Sequence, residues 1–359
     1  PVPPQTLSGH AAASWTDRYA YVVGGWNNAT YVNNVYMGNI QAGGIGSWSS
    51  QNALPVALKD AAVVVGTNTI YVLGGRNGTQ VFNTIYYASI NTNGTLGTWQ
   101  TSAVTLPVAL WGHTATYCNG YIYVAGGSGS MTENSALNTV YYAQVRADNT
   151  LSAFTAGSNL PGARNKHAAV TYRNKIYVLG GYDNAGTRFS SVYIATPSVS
   201  GTTGSWVSGS SMPFSISNHS AAVSNGTIVV MAGAVNSSPF LSNSVYYANA
   251  DNATPTTLAW NTSANVMYDY TKDGAAFTGN GQVYYTGGTN LSGTPILNTR
   301  FANMSLTSNF ISNGVFVSNP FYELGAERLI NSLSFTKTVG TGANFQIIYR
   351  TAEIGRAHV

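Results

Sequence analysis

Apolar residues in this chain come in short runs of four or five, never at helical spacing, and each run stops at a small-residue doublet. Runs such as Ala20-Tyr21-Val22-Val23 and Ile70-Tyr71-Val72-Leu73 end at Gly24-Gly25 and Gly74-Gly75. The later doublets are Gly126-Gly127, Gly180-Gly181, Ala232-Gly233 and Gly287-Gly288, so successive spacings are 50, 52, 54, 52 and 55 residues. A period in this range marks an array of supersecondary units. An alanine-rich strand precedes each run, as in Ala11-Ala12-Ala13, Ala61-Ala62 and Ala275-Ala276. Hairpin signals such as Asn119-Gly120, Asn225-Gly226 and Asn280-Gly281 join the two. A third strand follows the doublet, at Val35-Tyr36, Ile85-Tyr86, Val140-Tyr141, Val192-Tyr193, Val245-Tyr246 and, in the last copy, Arg300-Phe301. A fourth carries Trp48, Trp99, Phe154, Trp206 and Trp260.

Four antiparallel strands repeated six times predict an all-β fold, a six-bladed β-propeller over residues 1–310. A blade is narrow at the axis and wide at the rim, so small alanines suit the inner strand and indoles the outer one. At this level the units resemble Kelch repeats, which pair a Gly doublet after an apolar strand with a spaced Tyr and Trp. Ala232, Phe154 and the sixth copy depart from that pattern. Residues 311–353 leave the repeat and read as the start of a β-sandwich-like segment. The last six residues, Ile354 to Val359, match what a common sequencing adapter encodes in frame, so 354–359 is expected to be a non-native tail. Pro4, Pro107, Pro161 and Pro213 each lie six residues before an inner-strand start. The chain is therefore expected to begin just after a missing outer strand that would close blade six, or to leave that place to residues 309–318.

Composition narrows the function classes. Only 7% of residues are charged, and the net charge of +4 has no Lys/Arg run, which argues against a nucleic-acid partner. No apolar run approaches a membrane span, so no membrane insertion of this segment is expected. The single Cys118 excludes an internal disulfide framework. No nucleophile elbow or His-Glu-x-x-His motif is present, and no cofactor is implied.

In a four-stranded meander, the loop into strand one and the loop from strand two to three emerge on the same face. That face carries the candidate ligand-binding residues Trp26, Arg76, Trp111, Arg164, Lys166, Tyr182 and Arg188. Aromatic faces beside planar donors suit a sugar ring or an extended peptide. A second pattern is a ring at one repeat position, thirteen or fourteen residues before each doublet: His10, Asp60, His113, His167, His219 and Asp273. Such a ring could hold a metal or anion. Its recurrence in every blade favours a structural role, each side chain capping an inner strand and bonding a neighbouring blade. The resemblance implies a monomeric recognition module that binds glycan or protein through this face. Composition and the second β unit add the expectation of a bacterial secreted or cell-surface setting. The alternative is a carbohydrate-active Kelch enzyme of the sialic-acid mutarotase kind, in which Arg76 or Arg164 would hold a carboxylate.

Overall fold

The computed structural model describes residues 2–251 and 256–303, together with the backbone of 352–353 and 356–357. The chain divides into two compact units, Pro1–Thr307 and Ser308–Val359. In the second, the described part is a two-stranded hairpin, Ala352–Glu353 with Arg356–Ala357. The sandwich-like segment and the proposed filling of blade six by residues 309–318 lie outside the described residues.

The first unit is a ring of antiparallel sheets with no helix among the described residues. Blade one comprises β1 (Ala11–Trp15), β2 (Tyr19–Val23), β3 (Val35–Gln41) and β4 (Gly44–Ser50). Blade two follows with β5 (Ala62–Val65), β6 (Thr69–Leu73), β7 (Ile85–Ser89) and β8 (Gln100–Thr101). Blade three is β9 (Thr114–Cys118), β10 (Tyr121–Ala125), β11 (Val140–Gln144) and β12 (Thr155–Ala156). Blade four is β13 (Ala168–Tyr172), β14 (Lys175–Leu179), β15 (Val192–Ala195) and β16 (Val207–Gly209). Blade five is β17 (Ser220–Ser224), β18 (Thr227–Met231), β19 (Val245–Asn249) and β20 (Trp260–Thr262). Blade six has β21 (Ala275–Gly279), β22 (Gln282–Thr286) and β23 (Thr299–Asn303). Each sheet is a meander in chain order.

The first strands form the inner wall, β1 against β5, then β9, β13, β17 and β21, with β21 returning to β1. Each second strand is sandwiched between blades, which is why it reads as an uninterrupted apolar run. Apolar clusters fill all six interfaces, one each except between blades six and one, which has two. Tyr21 and Val23 meet Ile70 and Val72 between blades one and two. Ala20, Ile40 and Ile45 meet Phe277 and Tyr284 where blade six closes on blade one. Truncating one such side chain to alanine typically costs about 2–5 kcal/mol.

Two details come from the outer strands. The Trp99 indole donates to the Asn52 carbonyl at 2.7 Å, Trp206 to Ser158 at 2.8 Å and Trp260 to Ser210 at 3.0 Å. Each of these tryptophans therefore ties its blade to the preceding one as well as filling the rim. The buried Trp48 indole N–H has no such partner among the described residues. In blade six, Thr299 pairs with Thr286 as Val35 pairs with Val23. Arg300 therefore stands where the other blades carry tyrosine, so the third strand of blade six begins one residue earlier than the sequence comparison placed it.

Candidate functional site

The loops that enter the inner strands meet at the axis in a closed circle of backbone hydrogen bonds. The Gly9 N–H donates to the Asp273 carbonyl at 2.7 Å and Asp60 donates to Gly9 at 2.7 Å. Gly112 donates to Asp60, Lys166 to Gly112, Asn218 to Lys166 and Asp273 to Asn218, each at 2.9 Å. All six residues adopt left-handed backbone conformations, with φ between 53° and 63°. This conformation suits Gly, Asn and Asp but costs an ordinary L-residue about 1–2 kcal/mol, so Lys166 is the costly member.

Side-chain charge compensates for that cost. Lys166 Nζ reaches across the axis to Asp60 Oδ1 and Asp273 Oδ1, both at 2.6 Å. The other Asp60 oxygen accepts from Arg76 Nε at 2.9 Å, and Asp273 also accepts from Asn218 Nδ2 at 2.9 Å. Lysine and the two carboxylates come from alternate blades, four, two and six. Glycine at positions 9 and 112 leaves the room they need: a Cβ on Gly9 would lie 2.5 Å from Asp60 Oδ1. Burial opposes ionisation of Asp273, but Lys166 and then Lys59 hold its carboxyl well below the usual carboxylate range. Burial likewise works against the Lys166 charge, and Asp273 and Asp60 reverse it, raising the amine above its ordinary value. A polar cavity of about 110 Å³ lies at this hub, bordered by Asp60, Lys166, Asn218 and Asp273.

The sequence-predicted ring of histidines and aspartates is corrected here, because it divides into two layers. Asp60 and Asp273 belong to the hydrogen-bonded circle; His10, His113, His167 and His219 each follow it by one residue. The imidazoles wedge between blades. A Cβ on Gly126 would come 2.8 Å from His167 Cε1, and one on Gly127 would come 2.6 Å from His113 Cβ. The first glycine of a doublet thus accommodates the next blade's histidine, and the second accommodates its own blade's. Ala232 is tolerated at a first position because Gly274 stands where the next histidine would be. Burial lowers His10, His113 and His219 to about 4, partly countered by the carbonyls of Thr286, Leu73 and Leu179. Burial, then Arg164, takes His167 to about 3. These are neutral packing groups between blades.

The candidate ligand residues also separate. Trp26, Arg76 and Tyr182 share one register position, each bridged to the residue just before the circle, Ser8, Lys59 and Asn165. Trp26 is half-buried, with Lys59 Nζ 5.8 Å from its ring. The Arg76 guanidinium lies 3.5 Å above the Trp111 ring while it binds Asp60. Trp111 itself is fully buried and donates to the Ser130 carbonyl at 2.7 Å. It therefore backs Arg76 and cannot stack on a ligand, which corrects the sequence expectation. Tyr182 is buried too; its hydroxyl accepts from Asn165 at 3.0 Å, and burial followed by Glu133 pushes it up to about 12.

Arg164 is a second correction. It is 2% exposed, with its guanidinium bonded to Gly180 O, Ser191 Oγ and Tyr193 Oη at 3.0, 2.7 and 3.0 Å, and stacked on Phe189. It stands where four of the other copies have Leu7, Leu58, Leu110 and Ile216 and the sixth has Thr271, all buried. Arg188 stays half-buried at the surface and reaches blade five, binding Ser217 Oγ at 3.1 Å and Asn236 Oδ1 at 3.0 Å. Asp60, Arg76, Trp111, Lys166 and Asp273 are thus brought into one network, which excludes Trp26, Arg164 and Arg188. Sequence reasoning missed Asn218 and the space-making Gly9 and Gly112, although all three precede the inner strand at one shared position.

Residues 112–306 match the family described as the KLHDC2/KLHL20/DRC7 Kelch-repeats domain, and residues 57–87 match the Kelch motif. Among solved structures the chain is similar to one titled "Structure of YjhT", at 17% identity and a TM-score of 0.68. That likeness spans 86% of this chain and 97% of the other, and it is a likeness of fold. No curated protein matches the sequence. With a family match over more than half its length and six blades around one axis, the chain belongs to the Kelch-repeat domain family.

Proposed function

We propose that this propeller is a recognition module whose loop face binds a protein or glycan ligand. The observation that carries the reading is the rigid hub at the centre of that face. The circle from Gly9 to Asp273, pinned by Lys166, holds the loops of all six blades in fixed register. Preorganisation of this kind lowers the ordering cost of binding. The module acts as a monomer in a bacterial secreted or cell-surface setting, a proposal that rests on its charge-poor composition and single buried cysteine. No helix among the described residues is long and apolar enough to cross a membrane.

The enzyme alternative loses support at Arg164, whose donors are committed within blade four. The discriminating experiment screens the intact chain on a glycan array and a displayed peptide library, then repeats binding with Arg76→Ala. Binding that weakens in the variant without turnover supports the module. Binding that is indifferent to every loop-face substitution contradicts it.

A further inference from the structure

Exposed apolar side chains on the loop face are concentrated on two adjacent blades. Blade five presents Phe214 and Phe240, and blade six presents Val266, Tyr268, Tyr270 and Leu291; Tyr268 is 85% exposed and Phe240 63%. Comparing the six copies shows that folding does not require these side chains. At the position of Tyr268 the other blades have Pro4, Pro55, Pro107, Pro161 and Pro213. At the position of Tyr270 they have Thr6, Ala57, Ala109, Ala163 and Ser215, and at that of Phe214 residues such as Gln5, Val56 and Gly162. Phe240 holds its aromatic side chain out from a left-handed backbone, φ 66°. The corresponding loop tips of blades one and two are Asn28-Ala29-Thr30 and Gly78-Thr79-Gln80. Exposed apolar surface gathered on two neighbouring blades, at positions where the other copies lack it, marks an interaction site.

Charge selects the occupant. The axial carboxylates Asp60 and Asp273 are neutralised by Lys166 and Arg76, and Asp269 pairs with Arg300 at 3.4 Å. Lys272, next to Tyr270 and Thr271, and Arg188, whose guanidinium reaches the Phe240 loop at Asn236, have no carboxylate partner among the described residues. The two blades therefore combine exposed apolar side chains with two cations that lack a carboxylate partner among the described residues. Its phenylalanine, valine and leucine side chains offer a sugar no hydrogen bonds.

We propose that blades five and six bind a protein segment whose apolar side chains cover Phe214, Phe240 and Tyr268 and whose carboxylates meet Lys272 and Arg188. This inference rests on the recognition reading above and names the chemistry of the partner.

The test selects random displayed peptides on the intact immobilised chain and measures the enriched peptides by fluorescence anisotropy. The expected consensus is an apolar core flanked by Asp or Glu. The double substitution Phe240→Ser with Tyr268→Ser, at exposed positions, should weaken binding about tenfold or more. Lys272→Glu should weaken it further, and added salt should weaken wild-type binding. No enrichment, or a consensus without acidic residues, overturns the proposal. So does glycan-array binding that the same double substitution abolishes, since the patch would then belong to a sugar. Peptide binding lost in Arg76→Ala but intact in the double variant overturns this proposal while the loop-face reading survives. Binding indifferent to all these substitutions removes both.

Discussion

Lys166 and Asp60 are 106 residues apart in the chain and 2.6 Å apart in space. The pair crosses the axis from blade four to blade two, and Asp273 completes the bridge to blade six. Local propensity does not favour this arrangement, since the lysine adopts a left-handed conformation, φ 53°. Its two ion pairs offset that strain, and they make the centre of the loop face one electrostatic unit.

Removing the lysine should therefore expose the cost of the buried carboxylates. Lys166→Met leaves Asp60 and Asp273 without their shared cation and should destabilise the propeller by about 3–5 kcal/mol. Adding Asp60→Asn and Asp273→Asn to that variant should restore much of the loss. Denaturant titration of the single and triple variants checks this; equal stability of wild type and Lys166→Met would contradict it.

Stability should depend on pH through the four interblade histidines. In the unfolded chain each titrates near 6.5, whereas in the folded chain three titrate near 4 and His167 near 3. Between those values the unfolded state binds more protons, so stability is full above about pH 6.5 and falls as pH drops toward 4. Each histidine contributes up to about 1.4 kcal/mol per pH unit in that window. His113→Gln should flatten the slope by one histidine's share in denaturant midpoints recorded from pH 8 to 4.

The doublet account predicts a specific rescue. Gly126→Ala places a Cβ at 2.8 Å from His167 Cε1 and 2.6 Å from the Arg164 carbonyl, at φ 58°, and should cost about 2 kcal/mol or more. Adding His167→Gly reproduces the Ala232 and Gly274 arrangement, so the double variant should lose less than the two single losses combined. A double-mutant cycle by thermal unfolding measures the coupling.

Arg164→Ala separates packing from recognition. The buried guanidinium holds three hydrogen bonds and two aromatic contacts. Its loss should lower stability by about 2–4 kcal/mol while leaving ligand affinity of the folded protein unchanged. Arg76→Ala should lower both stability, since it removes one partner of the buried Asp60 carboxylate, and ligand affinity of the folded protein.

The blade architecture was legible because each strand type has its own residue signature: small residues inside, an uninterrupted apolar run between blades, indoles outside. The circle at the axis was half legible. Blade one turns through Thr16, Asp17 and Arg18, whereas blade three uses the two residues Asn119 and Gly120. That extra residue places His10 fourteen positions before its doublet, level by count with Asp60 and Asp273 although it stands one position later in register. Burial was also hidden where chemistry and context disagreed. An arginine at the place of Leu58 and Leu110 belongs to the interior, and aligning the copies at that position reveals it. Cross-axis partners such as Lys166 with Asp273 leave no periodic trace, because each occurs once.

The central claim is that the loop face is anchored by the closed circle of six backbone hydrogen bonds around Lys166. Amide hydrogen exchange at Gly9, Asp60, Gly112, Lys166, Asn218 and Asp273 tests it most directly. The account predicts that all six amides exchange as slowly as the buried second strands and lose protection together in Lys166→Met. Exchange at surface-loop rates in the intact protein, or independent behaviour of the six, would contradict it.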